Sequence, residues 1–392
     1  MKPVLRYQFS LFAVILSSLA YYYHFHTDNM ILRGLAAVFL LAFYWFTLPT
    51  FTKVILNKIK LNKVYFIFVS YTVLLLIVSF FQVVDFKNLF TLFFHPLGFP
   101  AFYIAIVAVF ASSKYMVVLK KTAFYVNIAL PIATVLDVYL FDYPIFLISC
   151  IPFLIYEFLT LEKGKYFRKT FLLILLLGAI QVFRIYDFRI GIILILLILV
   201  SYIISKYTPI IKSKFLRKSL YVVGVLGVFY LLFNFSDVYN LLTSYLTGEE
   251  ITLIDTRSFL LPEFFSDLNI YDIVIGRGLL GEYFSTWFND WQGEGDSYNR
   301  FSIEIGFLQF ILKGGAIFLI LFCFNILKAI YNGFTKYNIK QNEFLLAVWL
   351  FIEFALMAIQ NYPMFGIKFF FYWVLIGMFL SKKSQLIKNV KS

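Results

Sequence analysis

The chain is a succession of long apolar runs separated by short polar connections. Runs able to cross about 30 Å of hydrocarbon fall at 7–24, 30–48, 64–84, 99–118, 122–140, 144–160, 169–184, 188–205, 219–235, 303–327, 344–361 and 364–380. They are too long and continuous for barrel strands, and a backbone in lipid must satisfy its own hydrogen bonds, so the pattern predicts twelve transmembrane helices. The pairs 122–140/144–160, 169–184/188–205 and 344–361/364–380 read as tight hairpins. One stretch breaks the rhythm: residues 236–302 are polar, with Phe, Leu, Tyr and Trp interleaved. A connection of that length with so many aromatics predicts short packed helices instead of a disordered linker. The expected organisation is a bundle of nine helices over 1–235, a loop over 236–302, and three helices with a tail over 303–392.

Composition agrees with that class. At 62% hydrophobic and 14% charged, with mean hydropathy +0.86, the chain is far more apolar than a soluble domain. A net charge of +13 would point to nucleic acid in a soluble protein. Here 25 of the 34 basic residues fall on alternate connections and at the two ends, so they set membrane orientation and nucleic acid is excluded as a partner. The bias predicts cytoplasmic termini and an extracytoplasmic 236–302 loop. The first run follows Lys2 and Arg6 as a signal peptide would, but it ends in Tyr21-Tyr22-Tyr23-His24 without a small-residue cleavage site, so it reads as a retained span. Cys150 and Cys323 both lie in apolar runs, which supports neither a disulfide framework nor a cysteine metal site. His24, His26 and His95 match no metal spacing and read as interfacial. No internal repeat stands out, which argues against an inverted-repeat carrier.

Charge and glycine return together between Asp255 and Lys313. The loop holds eleven acids and three arginines, Arg257, Arg277 and Arg300. A guanidinium matches paired phosphate oxygens, although each arginine could equally pair with an acidic neighbour. Arg277 lies between Gly276 and Gly278, which would let the backbone approach a ligand. Arg184 and Arg189 stand at the outer end of a hairpin against the charge bias, either for an anionic ligand or as a pair with Asp187. Lys313 would sit roughly 13 Å into its helix, facing a polar cavity or paired with Glu353. Glu304, at the mouth of that helix, is placed to act as a general base or to complement the helix N-terminus. Trp287 and Trp291, with Tyr283, Phe284 and Phe288, would stack on sugar rings or form an interfacial belt.

The pattern Arg257-Ser-Phe-Leu-Leu, then Ile275-Gly276-Arg277-Gly278, then Arg300-Phe-Ser-Ile-Glu304-Ile-Gly306-Phe-Leu-Gln-Phe-Ile-Leu-Lys313-Gly314-Gly315 before a further apolar run resembles the O-antigen polymerase (Wzy-type) group of the O-antigen ligase and polymerase superfamily. The resemblance implies a GT-C-like membrane protein of the bacterial inner membrane with one long late periplasmic loop. It also implies inverting glycosyl transfer without metal or cofactor, from a growing glycan on undecaprenyl pyrophosphate to a lipid-linked repeat unit, with a chain-length regulator as a further partner. Arg257, Arg277, Arg300 and Glu304 would carry catalysis. Arg184, Arg189, Lys313, Gly276, Gly278, Asp296, Trp287 and Trp291 would hold substrate, with Asp296 second to Glu304 as base. Ligases of the superfamily carry a His-Asn pair where Tyr298-Asn299 stands here, which favours polymerase over ligase. A carrier or a lipid-linked oligosaccharide flippase is the rival from another class.

Overall fold

A computed structural model describes residues 3–56, 62–162, 164–208, 213–234, 260–285, 299–336, 339–358 and 363–381. Its helices run α1 Pro3–Thr27, α2 Met30–Ile55, α3 Lys63–Phe81, α4 Phe86–Phe94, α5 Phe99–Phe141, α6 Ile145–Thr160, α7 Tyr166–Ile185, α8 Arg189–Tyr207 and α9 Lys214–Phe233. Two short helices follow, α10 Leu260–Asp267 and α11 Ile270–Ile275, then a ribbon of β1 Tyr283–Phe284 against β2 Asn299–Arg300. The chain closes with α12 Gly306–Thr335, α13 Gln341–Leu356 and α14 Ile367–Leu380. The greater part of each expected apolar run is helical among the described residues. Seven segments are long and apolar enough to cross a membrane on their own, and the protein is an all-α polytopic membrane protein.

The helices start where the sequence supplies a cap. Asn29, Asn62, Asp85 and Ser213 each accept a backbone N–H at the first turn of α2, α3, α4 and α9, satisfying donors that have no partner within the helix. At the other end of α12, Arg217 donates to the carbonyls of Phe334 and Lys336 at 2.7 and 3.0 Å, a cation where the helix dipole favours one. The core sits around α14 and α6, whose side chains are almost all buried. Phe318 stacks on Phe68 at 5.1 Å and Phe322 on Phe310 at 4.1 Å, against Trp373.

One expected connection is absent as a loop. Residues 119–121, between the runs 99–118 and 122–140, are helical, inside α5. This helix nevertheless doubles back on itself. Tyr21 reaches His95 and Tyr23 reaches Asp137, yet a straight helix would hold Phe99 and Asp137 about 57 Å apart at 1.5 Å per residue. Two antiparallel segments therefore stand where two runs were expected.

Two helices are interrupted within their length. His95-Pro96-Leu97-Gly98 separates α4 from α5 inside one continuous apolar segment. Gly315, with φ 70° and ψ −177°, breaks α12 nine residues after its start. Both interruptions face the end of the bundle that carries the loop, called here the loop face.

Candidate functional site

The loop is tied to α12 by a core of its own. Leu260 and Phe264 of α10, Tyr283 of β1, and Ile303, Ile305 and Leu312 bury one another in a cluster separate from the main core, so the described loop and the first turns of α12 fold as a unit. α11 is held by a capping box in which Asn269 and Asp272 bond each other's backbone N–H. Gly276 ends it at φ 85°.

From there the chain enters the break in α12. A Cβ on Gly276 would stand 2.5 Å from the backbone nitrogens of both Gly314 and Gly315, and one on Gly315 would collide with the Val274 carbonyl. Glycine on both sides lets two backbones touch, and at both positions φ is positive. A helix interruption strands carbonyls that lipid cannot satisfy. Here Leu312 O accepts from the Arg277 N–H at 2.8 Å and Gly314 O accepts from the Tyr71 hydroxyl at 3.0 Å. Ser79 accepts from the Leu279 N–H at 2.6 Å, and Gln82 donates to Arg277 O at 3.3 Å. The glycines expected to admit a ligand thus admit a transmembrane helix; Gly278 likewise packs against Gln82 and Ser79.

Arg277 is spent in the same way. Its Nε donates to Asp272 at 3.0 Å, while Nη1 and Nη2 donate to the Asp267 carboxylate and carbonyl at 2.5 Å each. Partial burial opposes its charge, but the hydrogen bonds and charges of Asp267 and Asp272 outweigh that and raise its pKa above the ordinary arginine value. The side chain staples the loop, and its fork is already filled by carboxylate and carbonyl oxygens.

Lys313 is different. The residue is 0% exposed, its Nζ donates to Gly281 O at 2.8 Å, and it stands 3.4 Å from the centre of the Phe301 ring. No carboxylate among the described residues comes within the 4.0 Å of an ion pair; Glu282 acts only at longer range. The expected partner, Glu353, instead pairs with Lys368 at 3.4 Å and accepts from Trp349 at 3.2 Å. A desolvated cation–π contact is worth about 2 kcal/mol, against several kcal/mol to take an ammonium out of water. The surroundings therefore under-compensate an ammonium at this position.

Beside it stands a polar group on the ribbon. Arg300 donates to the Tyr283 hydroxyl at 3.3 Å and lies 4.0 Å from Glu304. Glu304 keeps 35% of its side chain exposed, so its carboxylate remains reachable. Burial pushes the Tyr283 hydroxyl up to about 12, with the Arg300 charge pulling against it. Ser285 donates to Glu263 at 2.6 Å beneath the ribbon.

His95, read as interfacial, is brought into this group. It occupies the break between α4 and α5, with its ring edge-on to Phe301 at 5.0 Å, on the ring that Lys313 also contacts. The Leu97 N–H donates to Nδ1 at 3.3 Å, which leaves Nε2 toward the Tyr21 hydroxyl at 3.4 Å. The fold joins the 95 and 301 positions across the bundle, and no local spacing announces it. Polar Tyr71, Ser79 and Gln82 did carry a signal, since they interrupt an apolar run.

The other expected residues divide. Arg189 donates to both oxygens of Asp187 at 2.7 and 3.1 Å, which is the pairing alternative. Neighbouring Arg184 is exposed, next to a Tyr186–Tyr143–His26 ring cluster that has no described contact with Lys313. Arg257, Trp287, Trp291 and Asp296 lie outside the described residues. The described arrangement can hold an anion against Lys313 and Arg300, with the Glu304 carboxylate 4.0 Å from Arg300. No protein-family model, characterised protein or solved structure shows a significant match to this chain.

Proposed function

We propose that this chain is a membrane glycosyltransferase that lengthens a glycan carried on a polyprenyl pyrophosphate, working at the loop face. In this reading the chain crosses the bacterial inner membrane twelve times in a GT-C-like arrangement, with cytoplasmic termini and a periplasmic loop. The observation that carries it is Lys313: a fully buried cation with one carbonyl and one aromatic face as described partners, under a loop folded onto its helix. The leaving group of such a transfer is a pyrophosphate whose negative charge grows as the anomeric C–O bond breaks. A cation already stripped of water stabilises that growing charge more than the resting substrate. Arg300 adds a second positive group. The acceptor hydroxyl attacks the anomeric carbon from the opposite side, inverting it, and its proton passes to Glu304, the exposed carboxylate beside Arg300. Arg277 supports this assembly as a positioning residue.

The interrupted helices favour a second reading, a carrier of lipid-linked oligosaccharides, because carriers place their sites at broken helices. Against it, the carbonyls freed at the α12 break are taken by Arg277 N–H and Tyr71, leaving fewer to coordinate an ion. Purified protein supplied with lipid-linked repeat units separates the two. The transferase produces a ladder of lengthened glycans in detergent, and Lys313→Met abolishes it. Protein that moves the lipid across vesicles without lengthening it would establish the carrier instead.

A further inference from the structure

The basic start of α1 and the lysine-bearing middle of α5 stand apart. The two helices touch near the loop face, where Tyr23 bonds Asp137 and packs on Phe141 at 5.2 Å. Toward the opposite face they enclose a groove of about 380 Å³. Leu11, Ile15 and Val118 form its buried back wall. Phe12 and Tyr125, 58% and 68% exposed, stand along its open side. About 15 Å of helix separates Leu5 from Ile15, the length of a good part of an acyl chain.

The polar residues of the groove gather at its basic end, where Gln8 and Thr122 flank Lys121. The adjacent Lys120 is neutralised by Glu162 at 2.9 Å. Lys121, by contrast, is exposed and has no carboxylate within ion-pair distance among the described residues. An apolar slot ending in an unneutralised ammonium, an amide and a hydroxyl complements one kind of occupant: an acyl chain joined to an anionic headgroup. We propose that the groove between α1 and α5 is a binding site for an anionic phospholipid, its chain along Phe12 and Tyr125 and its phosphate on Lys121. The site opens at the end of the bundle away from Lys313, so it does not depend on the glycosyltransferase reading.

Native mass spectrometry of the purified full chain, titrated with phosphatidylglycerol and phosphatidylcholine of identical acyl chains, tests this directly. The expected result is at least one bound lipid with about a fivefold preference for phosphatidylglycerol, in line with one cation beside an anionic headgroup. Lys121→Gln removes the preference, whereas Lys120→Gln leaves it intact, with unchanged detergent melting temperatures confirming that both variants fold. Equal retention of the two lipids by the unaltered chain overturns the proposal. Equal losses in the two lysine variants do so as well, since they would reveal a diffuse surface potential in place of a site.

Discussion

Charge is buried at both ends of this bundle, and the two burials are opposites. Away from the loop, Glu157 holds Arg168 through two hydrogen bonds of 2.9 Å and accepts a third from Asn127 at 2.8 Å. The same guanidinium stacks over Phe124 and Phe171 at 4.6 and 5.0 Å. At the loop face Lys313 has a carbonyl and a ring, and no carboxylate within ion-pair distance among the described residues. In the first region the buried carboxylate and its arginine neutralise each other, which is how a helix bundle carries ions as scaffold. In the second, backbone and glycine pack around an amine whose described partners are a carbonyl and an aromatic face. A buried charge becomes evidence for a site only when the fold could have neutralised it and did not. Lys368 and Glu353 show that the same end of the molecule can supply such a pair.

Four perturbations sharpen or break this contrast. The largest effect is expected at Gly315, where alanine adds left-handed strain of about 1–2 kcal/mol and a collision with the Val274 backbone of about 1–3 kcal/mol. Gly315→Ala should expose the loop to protease while the rest of the bundle stays resistant; a resistant loop would show that the docked backbone contact is dispensable. Next comes Glu157→Gln, which strands an arginine that is only 18% exposed and should cost about 3 kcal/mol. Detergent melting reads the cost, and glycan lengthening per folded molecule should be unchanged.

Lys313→Met is expected to behave in the reverse manner. Removing an under-compensated charge relieves desolvation, so the melting temperature holds or rises while lengthening disappears. A melting temperature that falls as far as that of Glu157→Gln would make Lys313 scaffold and erase the contrast. The smallest effect concerns pH. Free tyrosine ionises near 10, but Tyr283 keeps its proton in the fold up to about 12. The folded state thus binds the proton more tightly, and its stabilisation, complete below pH 10, is lost as pH rises toward 12. Stability followed across that window should fall less steeply in Tyr283→Phe than in the unaltered chain.

Most of the bundle was legible because hydropathy reports what lipid requires. The site was legible in part. Lys313 stood out, since an ammonium amid apolar residues is conspicuous wherever it points. Arg277 and its glycines stood out equally, but their meaning was inverted. Sequence shows that a backbone can approach something closely, without showing that the something is Gly314-Gly315, some 38 residues downstream. His95 was illegible for a related reason, because its position beside Phe301 exists only once α1, α4 and α12 have packed.

The Tyr71 hydroxyl, which caps Gly314 O from 243 residues away in sequence, has a consequence for biosynthesis. At 5–20 residues per second, a ribosome needs roughly 10–50 s after making Tyr71 before it makes Gly314. Throughout that interval α3 resides in the bilayer with Tyr71 and Ser79 still lacking their eventual partners from the later chain. Assembly of the loop face is therefore a late event in synthesis. A chain stalled before α12 would offer insertion and quality-control machinery a bundle whose polar groups still await their closing strand of backbone.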